Sequence, residues 1–319
     1  MTTLTEQPAE ALRDAWAGAV CEIMEKDSRV LLLDGDLANS TKADRIAQQF
    51  PERFLEMGIA EQNMAGVAAG LATIGFIPWL SSFAVFLAER DLDQVRMTIA
   101  QTELPVKLAA AYSGMLTGYT GKTHQSVEDI AIMRCMPNMT VIAPADAVEC
   151  REAIRIATQL PGPVYFRLTR DPSPVIFDRN YQFALGRGVT LRAGNDISLI
   201  STGVQTTRVL EAAGILADEG IDACVLHLPT IKPLDEAAIV EVARRTQAVV
   251  TAEDHSILGG LGGAVAEVLC EHEPTRMRRV GLRDTFGESA PNDALLEKYG
   301  LTAMHVAQAA RELLGVRGR

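Results

Sequence analysis

The stretch Met57-Gly-Ile-Ala-Glu61-Gln-Asn-Met-Ala-Gly66 places one glutamate at the start of an apolar helix of small residues that continues through Gly70-Leu-Ala72. Burying one side of a carboxylate is costly unless a cationic or hydrogen-bonding group pairs with it. A glutamate in the first turn of a helix is also favoured by the helix macrodipole alone. The segment therefore predicts a helix whose first acid is either a structural feature or the holder of a specific protonated partner.

Short apolar runs alternate with helical patterns along the whole chain, as in a sheet that is buried on both faces. The runs predict strands at 29–34, 106–111, 140–143, 164–168, 197–201, 223–228, 247–252 and 276–281. Helical spacing is found at 59–74, 82–102, 126–134, 146–159, 204–219, 235–244, 260–271 and 303–314. The pattern predicts an α/β protein with two domains, each an open, mostly parallel sheet with helices on both faces. The polar, proline-containing connector that follows Arg170 divides them into residues 1–178 and 179–319.

Composition excludes several classes of protein. The chain has 319 residues, and its net charge of −11 argues against a nucleic-acid groove or a polybasic membrane surface. Its longest apolar stretches are broken by glycine and proline, and no signal peptide is visible. Five dispersed cysteines form no paired motif, which is typical of reduced thiols. We therefore expect a cytoplasmic protein with neither a membrane nor a nucleic acid as partner.

The Met57–Gly66 segment closely resembles the Gly-Ile-(Ala/Arg)-Glu-(Gln/His)-(Asn/Ala)-Met motif of the transketolase family. The resemblance extends from about residue 8 to residue 315 and includes the Glu-x-His255-x-x-x-Gly259-Gly-Leu-Gly and Phe286-Gly-x-Ser motifs of the family's C-terminal domain. It implies a pyrimidine-type thiamine-diphosphate-binding domain followed by a transketolase C-terminal domain, which docks and dimerises. It also implies that Glu61 is catalytic and binds the cofactor, by holding N1′ of its aminopyrimidine.

The segment Ser81-Ser-Phe83-Ala-Val-Phe86 supplies two aromatic residues three positions apart, which would share one face at the start of a helix. Ordinary core packing explains such a pair equally well. The resemblance implies that Phe83 and Phe86 line the pocket of the cofactor's pyrimidine. The same resemblance covers Arg90 to Arg96, where we expect structural salt bridges.

The diphosphate half of a thiamine site is missing from this chain. The family's Gly-Asp-Gly motif has Leu37 in place of its second glycine here, although Asp36 is retained as a cofactor-binding candidate. The stretch from Asp36 to Ser40 also resembles the family's Asp-Leu-x-x-Ser turn, in which the serine approaches a substrate phosphate; helix capping is the alternative. The resemblance implies an N-terminal partner subunit that carries Gly-Asp-Gly and holds Mg²⁺ or Ca²⁺, with no metal ligand in this chain.

The substrate end is predicted in the loop from Tyr112 to Gln125, whose Lys-Thr-His124-Gln sequence resembles a family motif. His124 is the candidate for proton transfer at the ketose carbonyl and hydroxyls. Many transketolases have histidine where this chain has Tyr112 and aspartate where it has Thr120, so both are substrate-binding candidates with altered specificity. Arg170, at the end of a predicted strand, matches the family's phosphate-binding arginine, with an interdomain salt bridge as the alternative.

The resemblance implies the C-terminal subunit of a two-component transketolase that depends on thiamine diphosphate. Such an enzyme transfers a two-carbon ketol unit from a ketose phosphate to an aldehyde. The two subunits would share the cofactor, and self-association of this chain would give a heterotetramer. The alternatives are a subunit like 1-deoxyxylulose-5-phosphate synthase or the 2-oxo acid dehydrogenase β-subunit, and a non-catalytic scaffold subunit that kept the fold.

Overall fold

Two open sheets organise the chain in the computed structural model, which describes residues 7–316. In chain order the strands are β1 Val30–Asp34, β2 Phe54–Glu56, β3 Ile77–Phe83, β4 Lys107–Ala111, β5 Thr140–Ile142, β6 Val164–Leu168, β7 Val189–Arg192, β8 Ile197–Ser201, β9 Ala223–His227, β10 Thr230–Lys232, β11 Ala248–Ser256 and β12 Arg276–Leu282. The first sheet has the order β10-β5-β6-β4-β3-β1-β2 and the second the order β12-β11-β8-β9-β7. Only the β10–β5 and β7–β9 pairs of these sheets are antiparallel. The predicted α/β class with mostly parallel sheets is confirmed.

Helices cover both faces of the sheets. They are α1 Leu12–Met24, α2 Ala38–Thr41, α3 Asp44–Gln49, α4 Glu61–Thr73, α5 Leu92–Gln94, α6 Asp129–Cys135, α7 Ala147–Thr158, α8 Gln205–Asp218, α9 Glu236–Thr246, α10 Leu261–His272, α11 Asn292–Lys298 and α12 Ala303–Leu314. Alternate residues of β1 face opposite sides, so Leu32 packs in a core with Trp16 while Leu33 packs in another core with Met64. This two-sided burial explains the continuous apolar runs of the sequence.

Strand β3 is central to the first sheet but was not predicted, because it contains Pro78. The backbone nitrogen of Ile77 donates to the carbonyl of Arg29 beside β1. The nitrogen of Pro78 therefore points towards β4, and the β3–β4 pairing begins only at Trp79. The missing N–H of the proline falls where no ladder bond is needed.

The prediction of one helix over residues 82–102 is wrong at its start, where the chain is still a strand. The rest of this range is helical but irregular. Residue Phe83 still belongs to β3, and two π-helical segments, Phe86–Arg90 and Val95–Ala100, flank the short helix α5. The prediction that Phe83 and Phe86 share one helical face is therefore wrong, because Phe83 is the last residue of β3. Their rings nevertheless lie 5.9 Å apart because the strand ends immediately before the π-helical turn.

The sequence also did not predict the short strands β2, β7 and β10 or the helix α11. Strand β10 comes from the second half of the chain but pairs with β5 in the first sheet, through Thr230 and Lys232. The two halves are thus joined by a strand as well as by side-chain contacts. Among residues 7–316, no helix has both the length and the apolar character needed to cross a membrane.

Candidate active site

The candidate residues gather at the carboxyl ends of adjacent strands in the first sheet. Phe83 ends β3, Tyr112 follows β4, and Arg170 follows β6 by two residues. The turn that contains Asp36 and Ser40 follows β1. Ligands of open α/β sheets bind at this edge, so the topology brings the turn after β1 and the segment after β6 to the same edge of the sheet.

Glu61 is the first residue of α4 and is 1% exposed. Its carboxylate forms an ion pair with Nη1 of Arg90 at 2.8 Å, and the hydroxyl of Ser82 donates to its other oxygen at 3.3 Å. A Cβ at Gly35 would lie 3.6 Å from that oxygen, so a small residue keeps this side of the carboxylate open. The cationic partner expected for this buried acid is therefore Arg90. The salt bridge predicted for Arg90 is thus formed with the candidate residue Glu61 itself.

Asp91 is a second buried acid beside Glu61, and it was missed from the sequence because it lies in a run of ordinary surface charges. It is fully buried, and neither carboxylate oxygen has a hydrogen-bond partner within residues 7–316. Burial raises the pKa of Asp91 well above its usual value, and the negative charge of Glu61 raises it further. Both effects favour the neutral carboxyl of Asp91 over the charged form.

Aromatic rings form a wall next to Glu61. The ring of Phe83 stacks on Tyr112 with centroids 3.9 Å apart, and Phe86 stacks on Phe83 with centroids 5.9 Å apart. The imidazole of His124 meets Phe83 and Phe86 edge-on at 5.7 and 5.6 Å. The guanidinium of Arg90 lies over the ring of Phe86 at 4.1 Å. The predicted residues Phe83, Phe86, Tyr112 and His124 thus line one surface.

Two arginines converge on the phenol of Tyr112. Nη1 of Arg13 donates to the Tyr112 oxygen at 3.1 Å, and Nε of Arg170 donates to it at 3.2 Å. Arg13 also donates to the backbone carbonyl of Ser40, which ties the turn after β1 to this cluster. Two guanidiniums and a hydroxyl at one sheet edge are well suited to bind an anion such as a phosphate.

Arg13 was missed by the sequence analysis. It lies in the first turn of α1, where the surrounding apolar residues indicate only an amphipathic helix. Its position opposite Tyr112 depends on the packing of α1 on the sheet, and nothing in the local pattern reveals that contact.

The structure does not bring Asp36 or Thr120 to the other candidates. Asp36 is exposed, with φ of 64°, and its backbone nitrogen donates to Glu56 at 3.0 Å. The hydroxyl of Thr120 donates to Thr117 at 2.7 Å within a 3₁₀ turn. Neither side chain has a hydrogen bond or ring contact with Glu61 or the aromatic wall in the described part of the chain.

A neighbouring acid, Asp34, orders the turn after β1. It is fully buried, and its Oδ1 accepts from the backbone nitrogen of Leu37 at 2.7 Å. Burial raises the pKa of Asp34 to about 6, and the bond from Leu37 opposes part of that rise. Residues 7–316 contain no group of three or more His, Cys, Asp or Glu side chains that could hold a metal ion.

The glycine motifs of the second half are explained by packing. The amide of Gln125 donates to the carbonyl of Glu288, and a Cβ at Gly287 would lie 2.0 Å from Oε1 of Gln125. Glu253 accepts from the backbone nitrogen of Leu261 at 2.6 Å and so caps α10. His255 is fully buried, with Nδ1 donating to the carbonyl of Ser256. These residues fasten the His124 loop to the second half and have structural roles.

Comparisons with known proteins place the chain in a family. The family model for the transketolase pyrimidine binding domain matches residues 9–174, and that for the transketolase C-terminal domain matches residues 186–306. The chain is 44% identical over 302 residues to the 6-deoxy-6-sulfo-D-fructose transketolase subunit SqwH of Clostridium sp. (strain MSTE9), covering 95% of this chain and 94% of that protein. It is 33% identical to 1-deoxy-D-xylulose-5-phosphate synthase 1 of Geobacter sulfurreducens, covering 99% of this chain but 50% of that enzyme.

A solved structure described as a split gene transketolase, inactive beta4 tetramer, superimposes with a TM-score of 0.90 at 47% identity. The match covers 97% of this chain and 99% of that chain. A full-length match to a split subunit, together with the two family models, confirms the predicted family. The chain belongs to the transketolase family and corresponds to the C-terminal subunit of a split transketolase.

Proposed function

We propose that this chain provides the pyrimidine half of a thiamine diphosphate site and works with an N-terminal subunit in ketol transfer. The reaction would move a two-carbon unit from a ketose phosphate to an aldehyde. The observation that carries the proposal is the buried carboxylate of Glu61 beside a wall of stacked aromatic rings. The domain boundary at residues 178/179 stays a prediction.

The residues around Glu61 fit an aminopyrimidine. Phe83 and Phe86 present ring faces next to a carboxylate that has one short bond and one weaker hydroxyl bond, so it can accept a further donor. Glu61 would accept the proton of N1′ while the aromatic rings pack on the heterocycle. When bound, thiamine diphosphate supplies the carbanion chemistry, and the protein supplies orientation and electrostatics.

Arg90 has to leave Glu61 before such a ring can bind. Its guanidinium occupies the carboxylate at 2.8 Å and also covers the face of Phe86 at 4.1 Å. Its side chain is already 40% exposed, so it can rotate into solvent without giving up a fully buried site. In the free subunit, Arg90 would then keep the buried charge of Glu61 compensated until the cofactor replaces it.

The anion-binding end would hold the phosphate of the sugar. Arg13 and Arg170 would contact its oxygens, oriented by Tyr112 and with Ser40 nearby. His124, on the same aromatic wall, would exchange protons with the carbonyl and hydroxyls of the substrate. Asp36 as a cofactor ligand and Thr120 as a substrate ligand remain predictions without a supporting contact.

The partner subunit would hold the diphosphate and its Mg²⁺ or Ca²⁺. Support comes from the Gly-Asp-Leu sequence at residues 35–37, where the family's metal-binding motif has Gly-Asp-Gly. A related split subunit forms a tetramer described as inactive. We therefore propose that this chain self-associates and becomes active in a heterotetramer with the N-terminal subunit. A cytoplasmic location is part of the same proposal.

The test is a co-purified pair of subunits assayed with a panel of ketose phosphate donors. Glu61→Ala should lower kcat/KM by about 10²–10⁴-fold while the pair still assembles. Glu52→Gln changes an exposed glutamate on the same half of the chain and should have no effect. Full activity of Glu61→Ala in an intact assembly would contradict the proposal, and it is the result that a scaffold subunit would give.

A second candidate reaction is that of a 1-deoxyxylulose-5-phosphate synthase, favoured by the likeness to the Geobacter enzyme over nearly the whole of this chain. The related 2-oxo acid dehydrogenase β-subunits share with it a keto acid substrate. The two reactions differ in their donor, since the alternative decarboxylates a keto acid. Product analysis separates them: consumption of ketose phosphate without release of CO₂ supports ketol transfer, whereas consumption of pyruvate with CO₂ supports the alternative.

A further inference from the structure

A cleft of about 510 Å³ opens between the two halves of the chain, bordered by the segment after β6 and by α8 and α11. Its floor is apolar and consists of Leu116, Val204 and Leu296, which are all more than nine-tenths buried. This volume lies in the range that small-molecule sites occupy. None of the residues of the aromatic wall, Phe83, Phe86, Tyr112 and His124, lines this cleft.

The wall of the cleft carries a guanidinium that has no ion pair in the described part of the chain. Arg208 forms no ion pair within residues 7–316, and the one hydrogen bond it makes there, to Oε1 of Gln205, is 3.5 Å long. Next to it, Thr207 is 4% exposed, and its hydroxyl has no hydrogen-bond partner in the described chain. Burial lowers the pKa of Arg208, while the charges of Asp254, Glu211 and Asp293 act to raise it. Both groups are available to donate to one carboxylate.

The rim of the same cleft is acidic. The exposed side chains of Glu211, Asp293 and Glu297 line its mouth. A simple anion such as phosphate would meet Arg208 but would be repelled by three carboxylates. A molecule with both a carboxylate and an ammonium group satisfies the wall and the rim together. We propose that this cleft binds a zwitterionic α-amino acid, with its carboxylate on Arg208 and Thr207 and its ammonium on the acidic rim.

Occupation of the cleft would reach the anion-binding end through Asp171. This residue lines the cleft, and its carboxylate accepts from Nη1 of Arg170 at 2.8 Å and from the amide of Asn292. Besides its contacts with the rim, the ligand ammonium would attract the carboxylate of Asp171, weaken its ion pair with Arg170 and so free that guanidinium for phosphate. The expected effect, which alone rests on the proposed function, is a KM for ketose phosphate that falls at least threefold with little change in kcat.

Binding is tested on the full-length chain by isothermal titration calorimetry with the common amino acids. At least one should bind with a Kd of about 1 mM or tighter. For the tightest of them, the matched acid without the amino group and the matched amine without the carboxyl group should each bind at least tenfold more weakly. Inorganic phosphate is the anion-only probe. Absence of binding for every amino acid, or tighter binding of phosphate, would overturn the proposal.

The variant Arg208→Gln should weaken binding at least tenfold, whereas Arg244→Gln, which changes an exposed arginine outside the cleft, should leave it unchanged. If Arg208→Gln fails to fold, Glu211→Gln/Glu297→Gln answers the same question from the rim. That double variant, which keeps Asp293 as the one rim carboxylate of the three, should show a smaller preference for the amino acid over its deaminated acid. Unchanged affinity in folded Arg208→Gln, or an intact amino-acid preference in the rim variant, would refute the zwitterion site, whatever the activity of the assembled enzyme.

Discussion

The ion pair between Glu61 and Arg90 should be measurable in the isolated chain as a coupling energy. Glu61 is 1% exposed, while the side chain of Arg90 is 40% exposed. Breaking a fully buried pair costs about 3–5 kcal/mol, but water can reach the carboxylate here once the guanidinium is gone. We therefore expect Arg90→Gln to lower the free energy of unfolding by about 1–3 kcal/mol. What remains on Glu61 is the hydroxyl of Ser82 at 3.3 Å.

A double-mutant cycle isolates this interaction. Glu61→Gln, Arg90→Gln and the double variant are compared by urea unfolding, followed by two optical probes whose transitions must coincide. The coupling energy should be about 1–2 kcal/mol. The surface pair Arg244–Glu273, with N–O distance 2.6 Å and an arginine that is 65% exposed, serves as the matched control and should give less than about 1 kcal/mol.

The same substitution tests the role of Arg90 in cofactor binding. If the guanidinium competes for Glu61, Arg90→Gln in the assembled pair should tighten thiamine diphosphate binding by about tenfold, the equivalent of about 1.4 kcal/mol. Glu61→Gln should weaken it. A Glu61–Arg90 coupling no larger than that of the surface pair, together with an unchanged cofactor Kd in Arg90→Gln, would refute the reasoning.

Three further predictions concern stability, pH and substrate affinity. Burial lowers the pKa of Lys107 from 10.5 to about 7. Because the folded chain loses this proton at a lower pH than the unfolded chain, the free energy of unfolding should rise between pH 7 and 10.5 by up to about 5 kcal/mol. Denaturation curves of Lys107→Met should lack this rise. Arg167→Met removes the ion pair of the buried Asp129 carboxylate, whose N–O distance is 3.0 Å. The free energy of unfolding should fall by about 3–5 kcal/mol. The double variant with Asp129→Asn should recover part of this loss. Tyr112→Phe keeps the ring stacked on Phe83 but removes the hydroxyl that accepts from two guanidiniums. Steady-state assays should therefore show a KM for ketose phosphate that is raised about tenfold, with kcat nearly unchanged. An altered kcat with constant KM would contradict this role.

The sequence predicted those parts of the fold that depend on local pattern. Apolar runs buried on both faces marked most inner strands, such as β1, β4, β6 and β8, because such strands have no polar face. Strand β3 was not predicted, because a proline is acceptable in a central strand only when its nitrogen faces a position that needs no hydrogen bond. That condition depends on the offset between β3 and β4, which begins at Trp79, and no local pattern encodes it.

The same limit applies to the site. Glu61, Phe83, Phe86 and His124 were singled out as candidates through a family resemblance in short motifs, and the contacts among the three rings follow from the fold. Arg13 has no such motif, because its role arises from a helix that packs across the sheet edge and reaches Tyr112 at 3.1 Å. Residues that act through long-range packing are therefore the ones that sequence reasoning misses.

The surface around the site also bears on the partner. Ile59, two residues before Glu61, is 73% exposed, and Tyr119, in the loop that leads to His124, is 74% exposed. Phe286, beside the glycine that packs on Gln125, is 64% exposed. Large apolar side chains in water near a functional site are typical of a surface that another protein covers. We infer that the proposed N-terminal subunit would cover these loops when it binds. The contact that supplies the diphosphate half of the cofactor site would then also shield the site from solvent.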